Sequence, residues 1–125
     1  PQLKVGMTEN EARIILEAEM LKRGSEEPSF ATIVASGNRS SMPHGVASDK
    51  IIEAGDFITF DFGAVYKGFH SDMTRTVVMG TASEQQKKQF VQVLPVKNLM
   101  QYVVTIYENK DIPRNLIMVR GTVWV

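Results

Sequence analysis

Cysteine is absent from this 125-residue sequence, which excludes a disulfide framework and any thiolate metal site. An excess of one charge is absent too, since 14 lysines and arginines balance 14 aspartates and glutamates. A neutral chain carries no electrostatic footprint for nucleic acid or for an anionic membrane surface. No apolar run approaches the roughly 18 residues of a membrane-crossing helix. The first residues lack the basic, apolar and small-residue regions of a signal peptide, so a cytoplasmic protein is expected. An initiator methionine is missing, and Pro1 reads as a boundary or cut in a longer sequence. What remains is an apolar fraction of 43%, enough for a core. The length predicts one domain or part of a larger one.

Thr8 to about Arg23 reads as a helix. Thr8 is the N-cap and Glu11, three residues on, completes a capping box. Glu9 and Glu11 occupy the first turn, where the helix dipole favours a negative charge. Ala12, Ile15, Leu16 and Met20 recur at helical spacing and form the expected buried stripe. Gly24 is the stop. After Pro28, residues 30–35 read as a short strand, 36–41 as a loop continued by Met42-Pro43-His44-Gly45, and Ile51-Ile52 as an isolated apolar pair. Ser83 reads as the N-cap of a further helix. Residues 101–107 and 116–125 are rich in valine, isoleucine and aromatics and read as two strands around a charged turn from Asn109 to Pro113.

The stretch from Gly55 to Thr76 carries the chemistry. It reads as two strands, 57–62 and 69–79, separated by Gly63 and Gly68, with Asp61 on the first and Asp72 on the second. A carboxylate in an apolar strand is costly unless a positive partner neutralises it. Phe57, Ile58, Phe60 and Phe62 make the surroundings of Asp61 apolar. Two such carboxylates on neighbouring strands suit a shared hard cation, or two ions about 3.5–4 Å apart. The alternative is that each aspartate caps a turn or pairs with Arg75, whose guanidinium can grip a carboxylate through two parallel hydrogen bonds. His44, fixed between Pro43 and Gly45, suits a place beside a cleft, against the alternative of an ordinary surface histidine. His70 shares a strand face with Asp72 by alternation, a position that packing alone explains.

Taken together, several segments resemble the proline-specific metallopeptidases, the family of Xaa-Pro aminopeptidase and Xaa-Pro dipeptidase (prolidase). They are Gly6-Met7-Thr8-Glu9, Pro28-Ser29-Phe30, Ile33-Val34-Ala35-Ser36-Gly37, Pro43-His44-Gly45, Gly55-Asp56, Asp61-Phe62-Gly63-Ala64 and Ser71-Asp72-Met73-Thr74-Arg75-Thr76. The resemblance runs from residue 3 to about 88. It implies an α+β fold, a partial pita-bread domain with a curved, mainly antiparallel sheet and packed helices. It places Asp61 and Asp72 on the family's first two metal ligands and His44 on the histidine that contacts substrate near the scissile bond. It further implies two divalent ions (manganese, cobalt or zinc), a metal-activated water that attacks the bond before proline, and a peptide substrate with proline at its second position.

The same resemblance calls for three more ligands, one histidine in a Gly-His-Gly motif and two glutamates. Neither His44 nor His70 stands in that context, and Glu108 is the only glutamate beyond position 84. The chain therefore divides into residues 1–88, the front part of a pita-bread catalytic domain, and 89–125, a tail unlike the family. Read from the third base of each codon, the tail's coding sequence can stay open throughout. Met118 followed by Val119 then forces glycine, and the codons from Met118 to Val125 permit Gly-Thr-Gly-His-Gly-Leu-Gly. The tail accordingly reads as out of frame, with a divergent or designed hairpin as the alternative. The chain as it stands is expected to be an incomplete, inactive form, with a non-catalytic pita-bread binding module as the rival. An open sheet edge or an uncovered apolar face would favour a homo-oligomer.

Overall fold

The fold is given by a computed structural model, which describes residues 2–89 and 116–118. The first element is helix α1, Glu9–Lys22. Its start follows from Thr8, whose hydroxyl accepts from the Glu11 amide at 3.1 Å while its own amide donates to Glu11 Oε2 at 2.7 Å. Arg23 closes the helix, and Gly24 turns the chain away at φ +97°, a conformation glycine adopts without a Cβ penalty. Of the expected apolar stripe, Ala12 is buried and Leu16 packs on the core, whereas Ile15 and Met20 stay half-buried.

Among the described residues five strands form one sheet: β1 Ile33–Ser36, β2 Phe57–Phe62, β3 Val65–Tyr66, β4 Phe69–Val78 and β5 Leu116–Met118. β2 lies between β1 and β4, antiparallel to both. β3 continues the line of β2 along the same edge of β4, because Phe62↔Met73 and Val65↔His70 belong to one unbroken register. β5 runs parallel to β4, opposite His70, Ser71 and Asp72. The fold is thus α+β, helix on mainly antiparallel sheet, and among the described residues the sheet is not closed.

Alternation divides the sheet into two unlike faces. Val34, Ile58 and Phe60 point to the α1 side and, with Ala12 and Ile52, make the buried core, flanked by Phe62, Val77 and Met79. Ile52, half of the apolar pair at 51–52, is wholly buried. Ala35, Thr59, Asp61, Asp72, Thr74 and Thr76 point to the other side.

Two expected elements differ. The strand expected over 30–35 begins only at Ile33, because the chain before it is drawn to the end of β2: Pro28 bridges Ala64, and the Ser29 amide donates to the Gly63 carbonyl at 3.0 Å. The expected loop after Ser36 is instead a 3-10 helix, Gly37–Ser41, closed by Ser40 Oγ on the Gly37 carbonyl at 2.7 Å. The expected helix after Ser83 is present over 84–89, with reciprocal bonds between Ser83 and Gln86 at 2.8 and 3.2 Å. Of the expected tail hairpin, only the strand 116–118 is described. Its turn and its other strand lie outside the described residues.

Candidate metal centre

Asp61 pairs with Thr74 across β2 and β4, and Thr74 Oγ1 donates to Asp61 Oδ1 at 2.9 Å. Asp72 stands two residues before Thr74, on the same face, so the two aspartates are diagonal neighbours. Cross-strand diagonals lie roughly 7–8 Å apart, closer at the side chains, which is within reach of a shared ion or ion pair. In the continued register the residue opposite Asp72 on the β2–β3 edge is Gly63, which has no side chain, and Met118 of β5 lies opposite it on the other edge.

Gly63 cannot carry one. A Cβ there would fall 1.8 Å from the Ser71 carbonyl oxygen and 2.0 Å from Ser29 Oγ. Ser29 Oγ donates to that carbonyl at 2.6 Å, and Ser71 Oγ accepts from the Ala64 amide at 2.8 Å. The glycine thus lets three backbone segments close tightly beside the aspartate pair.

Both aspartates are half-buried rather than buried. The apolar neighbours that suggested a desolvated Asp61 are mostly on the opposite face: Ile58, Phe60 and Phe62 turn towards α1. Arg75 does the same, facing Phe60 in the register, and its guanidinium donates to the Thr74 carbonyl at 2.8 Å. Its alternation places it across the sheet from Asp61 and Asp72, against the reading in which it pairs with them.

His44 is exposed, in the loop after the 3-10 helix. Gly45 beside it is buried, and a Cβ there would come within 2.7 Å of the Ala35 Cβ. Ala35 faces Thr59 on the aspartate side. Val46 then bridges Ile33 on the outer edge of β1, and the Ser40 carbonyl accepts from Thr59 Oγ1 at 3.0 Å. The loop therefore brings His44 to the same side of the sheet as Asp61 and Asp72, beyond β1. His70 shares the strand face of Asp72 but is exposed near the start of β4, opposite Val65.

The residue that sequence reasoning undervalued is Glu9. It was expected to serve the helix dipole, yet it has no exposure at all. Its Oε1 accepts from the Ser36 amide at 2.7 Å and the Ser36 hydroxyl at 3.0 Å. Its Oε2 accepts from the Ser48 hydroxyl at 2.7 Å, the Ser48 amide at 3.1 Å and Arg39 Nε at 3.2 Å. Burial alone pushes this carboxyl up; the bonds from Ser48 and Ser36 outweigh it and hold the group below the usual carboxylate range. The signal in the sequence was the co-occurrence of Glu9 with Ser36, Arg39 and Ser48, which has no local period to reveal it.

Among the described residues no three histidine, cysteine, aspartate or glutamate side chains converge on one point. The donor chemistry nevertheless fits part of a hard-cation site: two carboxylates on one sheet face.

A helix on one face of a mainly antiparallel sheet, with two aspartates on the other, is an α+β arrangement of the pita-bread kind. The chain belongs to metallopeptidase family M24, whose family model matches residues 1–102. It is 42% identical to the Xaa-Pro dipeptidase of Pyrococcus horikoshii over 124 residues, 96% of this chain and 35% of that one. It is 55% identical over 86 residues to an uncharacterized peptidase of Bacillus subtilis, 69% of this chain and 24% of the relative. Among solved structures, the X-Pro aminopeptidase of Thermotoga maritima superimposes with a TM-score of 0.75 at 47% identity, over 78% of this chain and 28% of that one. The prolidase of Pyrococcus horikoshii gives 0.72 at 45% identity, over 78% and 28%. The chain thus spans about a quarter to a third of the length of the curated relatives it matches.

Proposed function

We propose that this chain is the front part of the catalytic domain of a proline-specific metallopeptidase, which hydrolyses the Xaa-Pro bond at peptide N-termini. The observation that carries the reading is the placement of Asp61 and Asp72 on one face of β2 and β4. Its support from relatives is the similarity to an Xaa-Pro dipeptidase and an X-Pro aminopeptidase. In this reading Asp61 and Asp72 hold divalent ions of the manganese, cobalt or zinc kind, and His44 contacts the substrate beside the scissile bond. The ions, when bound, supply Lewis acidity and make water nucleophilic near neutral pH. Thr74 orients the Asp61 carboxylate. A cytoplasmic location belongs to the same proposal and fits the absence of cysteine.

The ligand set is incomplete in residues 1–88, so we infer weak divalent-ion binding and no turnover by the 125 residues alone. The proposed reason is that residues from about 89 onward are read out of frame, although the family match itself runs on to residue 102. Sequencing the coding DNA tests this; it fails when no single-frame change yields the Gly-His-Gly motif. The functional test is cleavage of an Xaa-Pro dipeptide, and of a longer Xaa-Pro peptide, with added manganese. Turnover that disappears in Asp72→Asn overturns the incompleteness. Absence of any manganese binding that depends on Asp61 and Asp72 overturns the metal site.

A further inference from the structure

We propose that Glu9 is the positioning residue for His44, acting as a single buried anchor that shuts the loop carrying that histidine. The inference rests on the reading of His44 as a substrate-contacting residue, and it adds the part of the chain that holds it there.

The loop in question leaves β1 at Ser36 and is regained at Ser48. Both of these residues donate an amide and a hydroxyl to the same Glu9 carboxylate, one to each oxygen. Arg39, inside the loop, donates Nε to Glu9 at 3.2 Å and Nη2 to the Val46 carbonyl at 2.7 Å. Arg39 thus ties the anchor to the backbone two residues beyond His44. The Val46 amide returns to the His44 carbonyl at 2.8 Å. Gly45 seats against Ala35, Val46 bridges Ile33 and the Ser40 carbonyl accepts from Thr59, so the sheet also holds the loop, while the side-chain bonds from Ser36, Arg39 and Ser48 all meet at one carboxylate.

Compensation of the helix dipole does not require this arrangement. An exposed glutamate in the first turn does that work, at no desolvation cost. Taking a carboxylate wholly out of water costs several kcal/mol unless its lone pairs are filled, and here five donors fill them. Donors from an amide, a hydroxyl and a guanidinium in fixed directions also orient their own segments, because a carboxylate accepts only within its plane's lone-pair directions. The anchor and the imidazole are on different elements, so the coupling runs through the loop backbone and not through contact.

The test uses the full 125-residue chain, isotopically labelled, with Glu9→Gln as the variant and manganese alone as the probe. Glutamine keeps the shape but replaces one acceptor oxygen by a donor. Amide exchange at Val46 and Ser48 is expected to quicken at least tenfold, while amides of Thr59, Phe60 and Thr76 in the sheet stay within twofold. Manganese is expected to broaden the Thr74 amide equally in both proteins. Broadening of the His44 ring should change at least twofold in the variant, since it depends steeply on how closely the imidazole approaches the ion. Equal exchange and equal His44 broadening in the two proteins overturn the proposal, and so does loosening that spreads evenly into β2 and β4. When Glu9→Gln does not fold, Arg39→Ala decides: it removes both donors that join Glu9 to the Val46 carbonyl, and an unchanged loop there overturns the proposal. Absence of broadening at Thr74 and His44 in the unaltered chain defeats the metal reading only, and the exchange comparison then decides the anchor.

Discussion

Replacing Gly63 by alanine should destabilise the chain by more than any other single methyl added to it. The new Cβ would sit 1.8 Å from the Ser71 carbonyl oxygen and 2.0 Å from Ser29 Oγ, far inside ordinary contact. One obstacle is backbone and the other is a short side chain already engaged, so neither yields without breaking something. The Ser29 hydroxyl bond to Ser71 and the Ser29 amide bond to Gly63, at 2.6 and 3.0 Å, are the first to go. Two hydrogen bonds at about 1 kcal/mol each and an overpacking term of about 1–3 kcal/mol give a loss of about 3–5 kcal/mol. For a domain of this size that lowers the melting temperature by about 12 °C at the least. Urea denaturation followed by far-ultraviolet circular dichroism measures it. Gly68→Ala is the control: its φ is +77° with open space where the Cβ would go. It should cost only the left-handed backbone penalty of about 1–2 kcal/mol. A Gly63→Ala chain within about 1 kcal/mol of the parent refutes the account of three segments closed around a missing side chain.

Other expectations are as direct. Thr8→Ala removes the cap of α1 and should cost about 1 kcal/mol by the same denaturation assay. Thr74→Val removes the hydroxyl that orients Asp61 and should weaken manganese binding, read by calorimetry, less than Asp61→Asn, which should abolish it. Glu9 ties stability to acid: in the unfolded chain it takes its proton near 4.5, and in the folded chain only at lower pH. The unfolded state therefore binds that proton first as pH falls. The group's contribution is complete above about pH 4.5 and is lost as pH drops through the folded value. Melting temperature against pH should accordingly be flatter on the acid side for Glu9→Gln than for the parent. Stripping divalent ions with a chelator should leave the fold intact, because the core lies on the α1 side of the sheet; cooperative unfolding on chelation would contradict this.

The elements that proved legible are those specified by neighbours in the sequence. The capping box of Thr8 and Glu11, the glycine breaks around 63 and 68, and the alternation in 57–62 and 69–78 all act over a few residues. β2 accordingly spans 57–62 as read, and β4 ends one residue short of the expected 79. The side of the sheet to which the aspartates belong was also fixed by alternation, but how dry that side is was not. Phe60 and Phe62 beside Asp61, and Ile58 three residues before it, face away from the carboxylate, and only Phe57 shares its face. The burial of Glu9 was out of reach for another reason. Its donors are 27, 30 and 39 residues away along the chain, so their meeting depends on the sheet and helix being already assembled. The late start of β1 has the same origin, since Ser29 is recruited by Gly63, just past the end of β2 and far along the chain.

The register of β2 against β4 has a consequence for how errors in this chain are exposed. Pairing Asp61 with Thr74 is the same act as pairing Ile58 with Val77. A slip of one residue in β4 would turn Met73, Arg75 and Val77 outward and bring Asp72 and Thr74 against the core. No insertion within these strands can therefore spoil the carboxylate face quietly while the hydrophobic face remains sound. A one-residue slip that misaligns the aspartates therefore costs the core as well, so a sound hydrophobic face guards the placement of the site without sensing its chemistry.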